Sequence, residues 1–155
     1  MKAVIIYYSS TDNTRLACQY LVRQLKDVEF ELIDITHGSS VDVSFYDVVG
    51  FAAPTFHMGV PPLFENFIQQ LPTQQNKPAF VFNTYGAMSG RMLKNLAKMV
   101  TARGFNVIAG YSLLTPENYP PFILKDWVNK DAPNDGELAK FRQFGTELAD
   151  KLQKE

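Results

Sequence analysis

Cysteine is almost absent from this chain, because Cys18 is the only one among 155 residues. A single thiol excludes an internal disulfide, a four-thiolate iron–sulfur cluster and a Cys-x-x-Cys redox pair. Cys18 falls at helical spacing among apolar positions, so we predict that it packs in the core. Any iron–sulfur chemistry linked to this protein must therefore come from a separate partner.

Long apolar runs and an excess of one charge are also missing. No segment approaches the ~20 apolar residues that cross a bilayer, and the N-terminus lacks a signal-peptide pattern, so the expectation is a cytoplasmic protein. The 15 Lys and Arg nearly balance the 16 Asp and Glu, and no basic stripe is evident. Neither a nucleic acid nor a membrane surface is expected as a partner. The two histidines, His37 and His57, lie far apart without a third ligand, so no metal site is predicted.

What the sequence does contain is a regular alternation of strand and helix, which fits one domain over residues 1–155. Five segments rich in apolar residues predict strands, at residues 3–8, 28–34, 47–53, 78–84 and 105–114. Helical spacing predicts helices at residues 15–26, 62–71, 89–103 and 134–154. The predicted inward positions are Leu63, Phe64, Phe67, Ile68 and Leu71 in the second helix and Leu138, Phe141, Leu148 and Leu152 in the last. This alternation predicts a mostly parallel sheet with helices on both faces, and places function in the loops after strands one, three, four and five.

The end of the first strand carries the most informative motif. Six consecutive residues with hydroxyl, carboxylate or amide side chains stand where the first helix begins: Ser9, Ser10, Thr11, Asp12, Asn13 and Thr14. A helix N-terminus presents unpaired N–H groups and a positive dipole to an anion. One such residue could simply cap the helix, but six in a row favour a phosphate site. Since the G-x-x-x-x-G-K-[ST] and G-x-G-x-x-G motifs are both absent, we expect a ligand with one terminal phosphate.

Two further loops favour a flat ring over a charged ligand. They lie after strands three and four and contribute Pro54, Thr55, Phe56, His57, Met58, Gly59, Thr84, Tyr85, Gly86, Met88 and Gly90. Aromatic, thioether and glycine groups suit a planar ring whose polar edge is read by the backbone. A phosphate at one end and a ring at the other describe flavin mononucleotide (FMN). His57 is interpreted either as a hydrogen-bond donor to the flavin or as an exposed loop residue.

A long proline-rich connection covers residues 115–133. Connections of this length often serve as lids or binding loops. Three interpretations stay open. Its large side chains tether the loop to the body of the protein, or Tyr119 and Phe122 form a wall of the flavin site, or Trp127 contacts a partner.

The segment from Tyr8 to Thr14, together with residues 82–86 and 115–119, resembles the flavodoxin family, and most closely the flavodoxin-like half of ferredoxin-fused flavoproteins. That resemblance implies an α/β three-layer sandwich whose five-stranded parallel sheet has the order 2-1-3-4-5, with non-covalent FMN. It also implies that Ser9, Thr11, Asn13 and Thr14 bind phosphate, while residues 55–59 and 84–90 flank the isoalloxazine. Three features depart from the family: Asp12 replaces the usual Gly, residues 87 and 88 offer no aromatic ring, and the chain is not strongly acidic.

The leading functional hypothesis is an FMN-binding electron-transfer protein that works with a redox partner, either a reductase or a ferredoxin-like donor. An FMN-dependent NAD(P)H or quinone oxidoreductase is the alternative, and an FMN-free binding module of the same fold is a third. In the leading hypothesis the peptide between Met58 and Gly59 can reverse, so that its carbonyl accepts a hydrogen bond from flavin N5. Glycine makes both orientations accessible.

Overall fold

We describe residues 1–9, 12–56, 59–86, 90–115 and 135–154 from a computed structural model of the chain. Within these ranges, five strands alternate with four helices and one short 3₁₀ turn, Val43–Phe45. The strands are β1 (Lys2–Tyr7), β2 (Glu29–Asp34), β3 (Val48–Pro54), β4 (Lys77–Tyr85) and β5 (Phe105–Leu114). The helices are α1 (Asn13–Gln24), α2 (Pro62–Gln69), α3 (Met92–Ala102) and α4 (Asp135–Gln153). All nine predicted elements are present, and their bounds differ from the predicted ones by a few residues at most.

The sheet is parallel throughout and has the strand order β2-β1-β3-β4-β5. This arrangement confirms the predicted α/β fold and its strand order. β3 and β4 read as almost continuous apolar segments because both of their faces are buried, whereas β2 alternates because it forms an edge. All five strands end at the same edge of the sheet, which we call the carboxyl edge.

Two apolar cores separate the three layers. One core packs α1 and α4 against one face of the sheet, with Leu21, Phe141 and Leu148 fully buried. The other packs α2 and α3 against the opposite face around Phe51 and Phe64. Cys18 is buried in the first core, as predicted. Both faces of the sheet are therefore covered, and the carboxyl edge is where the loops that follow the strands come together.

Two predicted core positions are corrected by the structure. Leu63 is 43% exposed in the first turn of α2, because Phe64 and Ile68 already occupy the buried stripe of this short helix. Leu138 is half-buried, and Phe144 takes a core place in α4 instead. Asn134, the predicted first residue of α4, lies outside the described residues.

Within the described residues, no helix is both long enough and apolar enough to cross a membrane.

Candidate functional site

The structure places the predicted site at the carboxyl edge of the sheet, where the loops after β1, β3 and β4 meet. Twelve of the eighteen predicted site residues are described: Ser9, Asp12, Asn13, Thr14, Pro54, Thr55, Phe56, Gly59, Thr84, Tyr85, Gly86 and Gly90. The other six lie outside the described residues, and they are Ser10, Thr11, His57, Met58, Met88 and Tyr119. The described part of the long connection ends at Thr115.

The junction between β1 and α1 is held by its own hydrogen bonds. Asp12 has a left-handed backbone, with φ of 66°, and immediately precedes α1. Its carbonyl accepts the N–H of Leu16 at 2.9 Å. The Ser9 hydroxyl accepts the N–H of Arg15 at 3.3 Å, so it satisfies one of the unpaired donors of the first helical turn. Because the Ser9 oxygen acts as the acceptor here, its own proton stays available for donation to an anion.

Asp12 occupies a position with the left-handed backbone conformation. Aspartate is one of the few residues with a side chain that tolerate it. The Asp12 carboxylate is exposed and accepts a hydrogen bond from Arg15 Nε at 3.2 Å. This bond raises the pKa of Arg15 above its ordinary value. Arg15 therefore partly offsets the negative charge that Asp12 brings to the predicted phosphate loop.

The loop after β2 also reaches the site, although the sequence analysis assigned function only to the other four loops. The Thr36 hydroxyl accepts the Ser9 N–H at 2.9 Å and donates a short hydrogen bond to Asp34 Oδ1. The Thr36 N–H donates to the same carboxylate oxygen at 2.8 Å. Asp34 is paired with Tyr7 at the ends of their strands. Asp34 and Thr36 thus fix the backbone of Ser9 where the phosphate loop begins, and the Asx-turn spacing Asp34-x-Thr36 is the signal that could have revealed them.

The phosphate junction and the loop after β4 are joined by one buried contact. The Thr14 and Thr84 hydroxyl oxygens lie 3.0 Å apart, and each residue is 1% exposed. Thr14 comes from the first turn of α1, and Thr84 comes from the end of β4. The two halves of the predicted site are therefore directly connected.

A chain of polar side chains continues across the ends of β3, β4 and β5. Thr55 donates both its N–H and its hydroxyl to the Thr84 carbonyl, at 2.8 Å and 3.0 Å. The Asn83 amide donates to the Thr55 hydroxyl at 2.9 Å and accepts from the Ser112 hydroxyl at 2.6 Å. Asn83 is fully buried. An asparagine inside a buried strand was the signal for this network, because such a group requires partners.

The two ring loops are fixed at their bases. Phe56 and Gly59 exchange both backbone hydrogen bonds at 2.9 Å, which hold these two residues side by side. The Tyr85 carbonyl accepts the Thr115 N–H at 2.8 Å, which anchors the start of the long connection beside the loop after β4. Gly90 adopts φ of 56° after that loop, a conformation that favours glycine.

A surface cavity at the other end of the sheet does not belong to this site. It lies where α1 and α4 end, between Met1, Leu25 and Leu152. In the described residues no group of three or more His, Cys, Asp or Glu side chains is placed to hold a metal ion.

Comparisons with known proteins identify the family. The family model of the flavodoxin domain matches residues 4–111, and the chain therefore belongs to the flavodoxin family. An uncharacterized protein of Methanocaldococcus jannaschii is 24% identical over 151 residues, covering 96% of this chain and 98% of that protein.

Solved structures are similar to the chain at the level of the fold. A flavodoxin from the domain Archaea has a TM-score of 0.73 and 18% identity, covering 99% of each chain. A flavoprotein from Lactobacillus acidophilus, solved in complex with FMN, has a TM-score of 0.58 and 15% identity, covering 72% of this chain and 92% of that one. The predicted flavodoxin resemblance is thus confirmed at the level of family and fold, and the particular likeness to ferredoxin-fused flavoproteins stays a prediction.

Proposed function

We propose that the protein binds FMN without a covalent bond and transfers electrons between partner proteins. The observation that carries the proposal is the buried contact between Thr14 and Thr84, because it joins a loop suited to a phosphate with a loop suited to a ring. Membership in the flavodoxin family and the FMN complex of the Lactobacillus acidophilus flavoprotein support the same cofactor.

The described residues fit the phosphate end of this cofactor. The Ser9 hydroxyl has a proton to donate, and α1 directs its N-terminus at the same place. The carboxylate of Asp12 opposes an anion, but its contact with Arg15 reduces that effect. The donor set, composed of hydroxyl and backbone groups without a lysine, suits a single phosphate monoester.

The part of the site that would hold the flavin ring needs a rigid backbone more than it needs charged side chains. Thr55 and Asn83 fix the chain where it leaves β3, and the Phe56 and Gly59 bonds close the loop that follows. When bound, FMN supplies the one-electron and two-electron chemistry. The protein's own part is to orient the ring, to limit the access of water and to present backbone groups to its polar edge.

FMN binding is tested directly by titrating the purified protein into FMN and following flavin fluorescence and the visible spectrum. We expect one FMN per chain, weaker binding of riboflavin, which lacks the phosphate, and competition by inorganic phosphate. Ser9→Ala should weaken FMN by about tenfold, as expected for a charge-assisted hydrogen bond, and leave riboflavin unchanged. Equal affinities for FMN and riboflavin would show that the protein does not recognise the phosphate. Absence of binding of either ligand would overturn the proposal.

The electron-transfer role has its own test, which uses the FMN-loaded protein. We expect the flavin to accept electrons from a separate reductase and to show negligible NAD(P)H oxidation with a quinone when the protein is alone. Sustained NAD(P)H–quinone turnover without a reductase would instead assign the oxidoreductase function.

A further inference from the structure

Charge is segregated along this chain. Residues 27–76 contain seven Asp or Glu and no Lys or Arg, whereas residues 66–116 contain five Lys or Arg and no Asp or Glu. The acidic stretch begins with β2, at one edge of the sheet, and the basic stretch supplies α3 and β5, on the side of the opposite edge. Residues 1–26 and 117–155 carry the other nine Asp or Glu and ten Lys or Arg, with both signs mixed, so the segregation is confined to these two stretches.

The basic stretch contains a group of three charged residues at and after the start of α3, which we call the α3 basic stripe: Arg91, Lys94 and Lys98. All three residues are exposed. Arg91 immediately precedes α3, and the spacing of three and four residues puts Lys94 and Lys98 on the side of the helix that begins at Arg91, over about 10 Å. Within the described residues the only ion pair is that of Asp12 and Arg15, so the stripe is not neutralised there. This stripe corrects the expectation from sequence that no basic stripe exists.

The stripe begins beside the candidate flavin site. Arg91 directly follows Gly90, at the end of the loop after β4. α2 packs with α3 on the same face of the sheet, and Phe56 and Leu63, near the start of α2, are 47% and 43% exposed. Exposed apolar side chains lie near cations that form no ion pair with the described residues. This composition matches a transient protein interface, in which charges steer the encounter and apolar groups make the contact.

We propose that the α3 basic stripe docks an acidic electron-transfer protein of the ferredoxin type. This inference rests on the proposed function, since it names the partner of the same site. Four cysteine thiolates around an iron–sulfur cluster bring negative charge to such a partner, and that charge complements the three cations of the stripe. Docking at the stripe places the partner next to the loop that borders the flavin.

A nucleic acid fits the same charges less well. Proteins that bind duplex DNA commonly make roughly six to ten phosphate contacts, whereas the stripe offers three cations over about 10 Å. The acidic residues that begin with β2 would repel the rest of a long polyanion. A compact acidic protein can contact the stripe without approaching the acidic residues that begin with β2.

The test measures association of the FMN-free protein with an acidic two-cluster ferredoxin, by biolayer interferometry at about 20, 100 and 400 mM NaCl. We expect binding at the lowest salt that weakens as salt rises. The triple variant Arg91→Gln, Lys94→Gln, Lys98→Gln should bind about tenfold more weakly at 20 mM. The control variant Lys26→Gln, Lys140→Gln, Lys154→Gln removes three exposed cations elsewhere and should stay within about twofold of the parent protein.

Several outcomes would overturn the proposal. Equal losses of ferredoxin affinity in the two triple variants would show that only net charge matters. Absence of ferredoxin binding at 20 mM NaCl would show that the stripe is not a docking surface for such a protein. Tighter binding of a 20-nucleotide single-stranded DNA, lost in the stripe variant, would assign the stripe to nucleic acid. Concentration-dependent dimerisation in sedimentation, lost in the same variant, would assign it to a second copy. Since the assay needs no FMN, its result stays separate from that of the FMN titration.

Discussion

The hydroxyl oxygens of Thr14 and Thr84 lie 3.0 Å apart although the residues are 70 positions apart in the sequence. Each side chain is buried, so water cannot replace the missing partner if one hydroxyl is removed. The contact fixes the first turn of α1 against the end of β4. The proposed phosphate loop and one proposed ring loop are therefore positioned together.

Replacing either threonine by valine should reveal this coupling. Valine keeps the shape of the side chain but leaves the opposite hydroxyl buried without its partner, so Thr84→Val should lower the free energy of unfolding by about 1–3 kcal/mol. Thr14→Val should act similarly. The measurement is urea denaturation of the FMN-free protein followed by circular dichroism.

The double variant Thr14→Val, Thr84→Val is the control for this prediction. Removing both hydroxyls leaves no orphaned group, so its loss should be smaller than the sum of the two single losses. Strictly additive losses would show that the two hydroxyls do not interact. FMN affinity should fall in both single variants, since both move the first turn of α1.

The fold could be predicted from sequence because local pattern and tertiary burial agree along most of the chain. β5 has the predicted bounds of residues 105–114, and Gly104, with φ of 90°, separates it from α3. The agreement fails at Leu63, where a short helix offers more apolar residues than the core can accept. Element type is thus set locally, whereas the choice of buried side chain depends on the neighbouring layer.

The sequence predicts which loops form the candidate site, but not which side chains of those loops contact one another. Composition predicts candidate site residues after β1, β3 and β4, yet the support that Thr36 gives to Ser9 depends on the pairing of β1 with β2. The α3 basic stripe was missed for a related reason. Its three cations are separated by mostly apolar residues in the sequence, and only the helical arrangement brings them to one side.

Asp12→Asn should increase FMN affinity modestly, by about two- to fivefold. Asparagine also tolerates the left-handed backbone at φ of 66°, while the charge that opposes the phosphate is lost. The gain is limited because Arg15 already offsets part of that charge, and it should vanish in ~0.5 M NaCl, where surface charges are screened. Fluorescence titration with FMN measures the effect.

Asp27→Asn provides the charge-matched control for Asp12. Asp27 is exposed and lies between α1 and β2, at the end of the molecule away from the carboxyl edge. An equal gain in both variants would attribute the effect to net charge, and no gain in Asp12→Asn would show that this carboxylate does not act on the phosphate.

Cys18 should make the protein less stable at alkaline pH. Burial raises the pKa of its thiol well above the ordinary value of 9.0. The folded state then keeps a proton that the unfolded state releases, so stability is complete below pH 9 and falls as pH rises from 9 towards the folded-state pKa. Between pH 8 and 10 the loss from this thiol should be about 1 kcal/mol.

The comparison that isolates the thiol uses Cys18→Ala in urea denaturation at pH 8 and pH 10. The alanine variant is less stable at both values because it leaves a small cavity, but its decrease between them should be smaller than that of the parent protein. Identical decreases would mean that Cys18 does not titrate differently in the folded and unfolded states.

Gly59→Ala should change the flavin's potentials without changing the stability of the FMN-free protein. A methyl group at Gly59 would lie 3.7 Å from the Phe56 carbonyl oxygen, an ordinary contact, so the free energy of unfolding should stay within about 0.5 kcal/mol. Reversal of the peptide before Gly59 becomes harder with a side chain, by about 1 kcal/mol, which corresponds to roughly 40 mV for one electron. Anaerobic redox titration of the FMN-loaded protein should therefore show a smaller separation between its two one-electron potentials.

Gly110→Ala in β5, far from both ring loops along the chain, is the control and should leave the potentials unchanged. Equal potentials in all three proteins would exclude peptide reversal as the means of tuning the flavin.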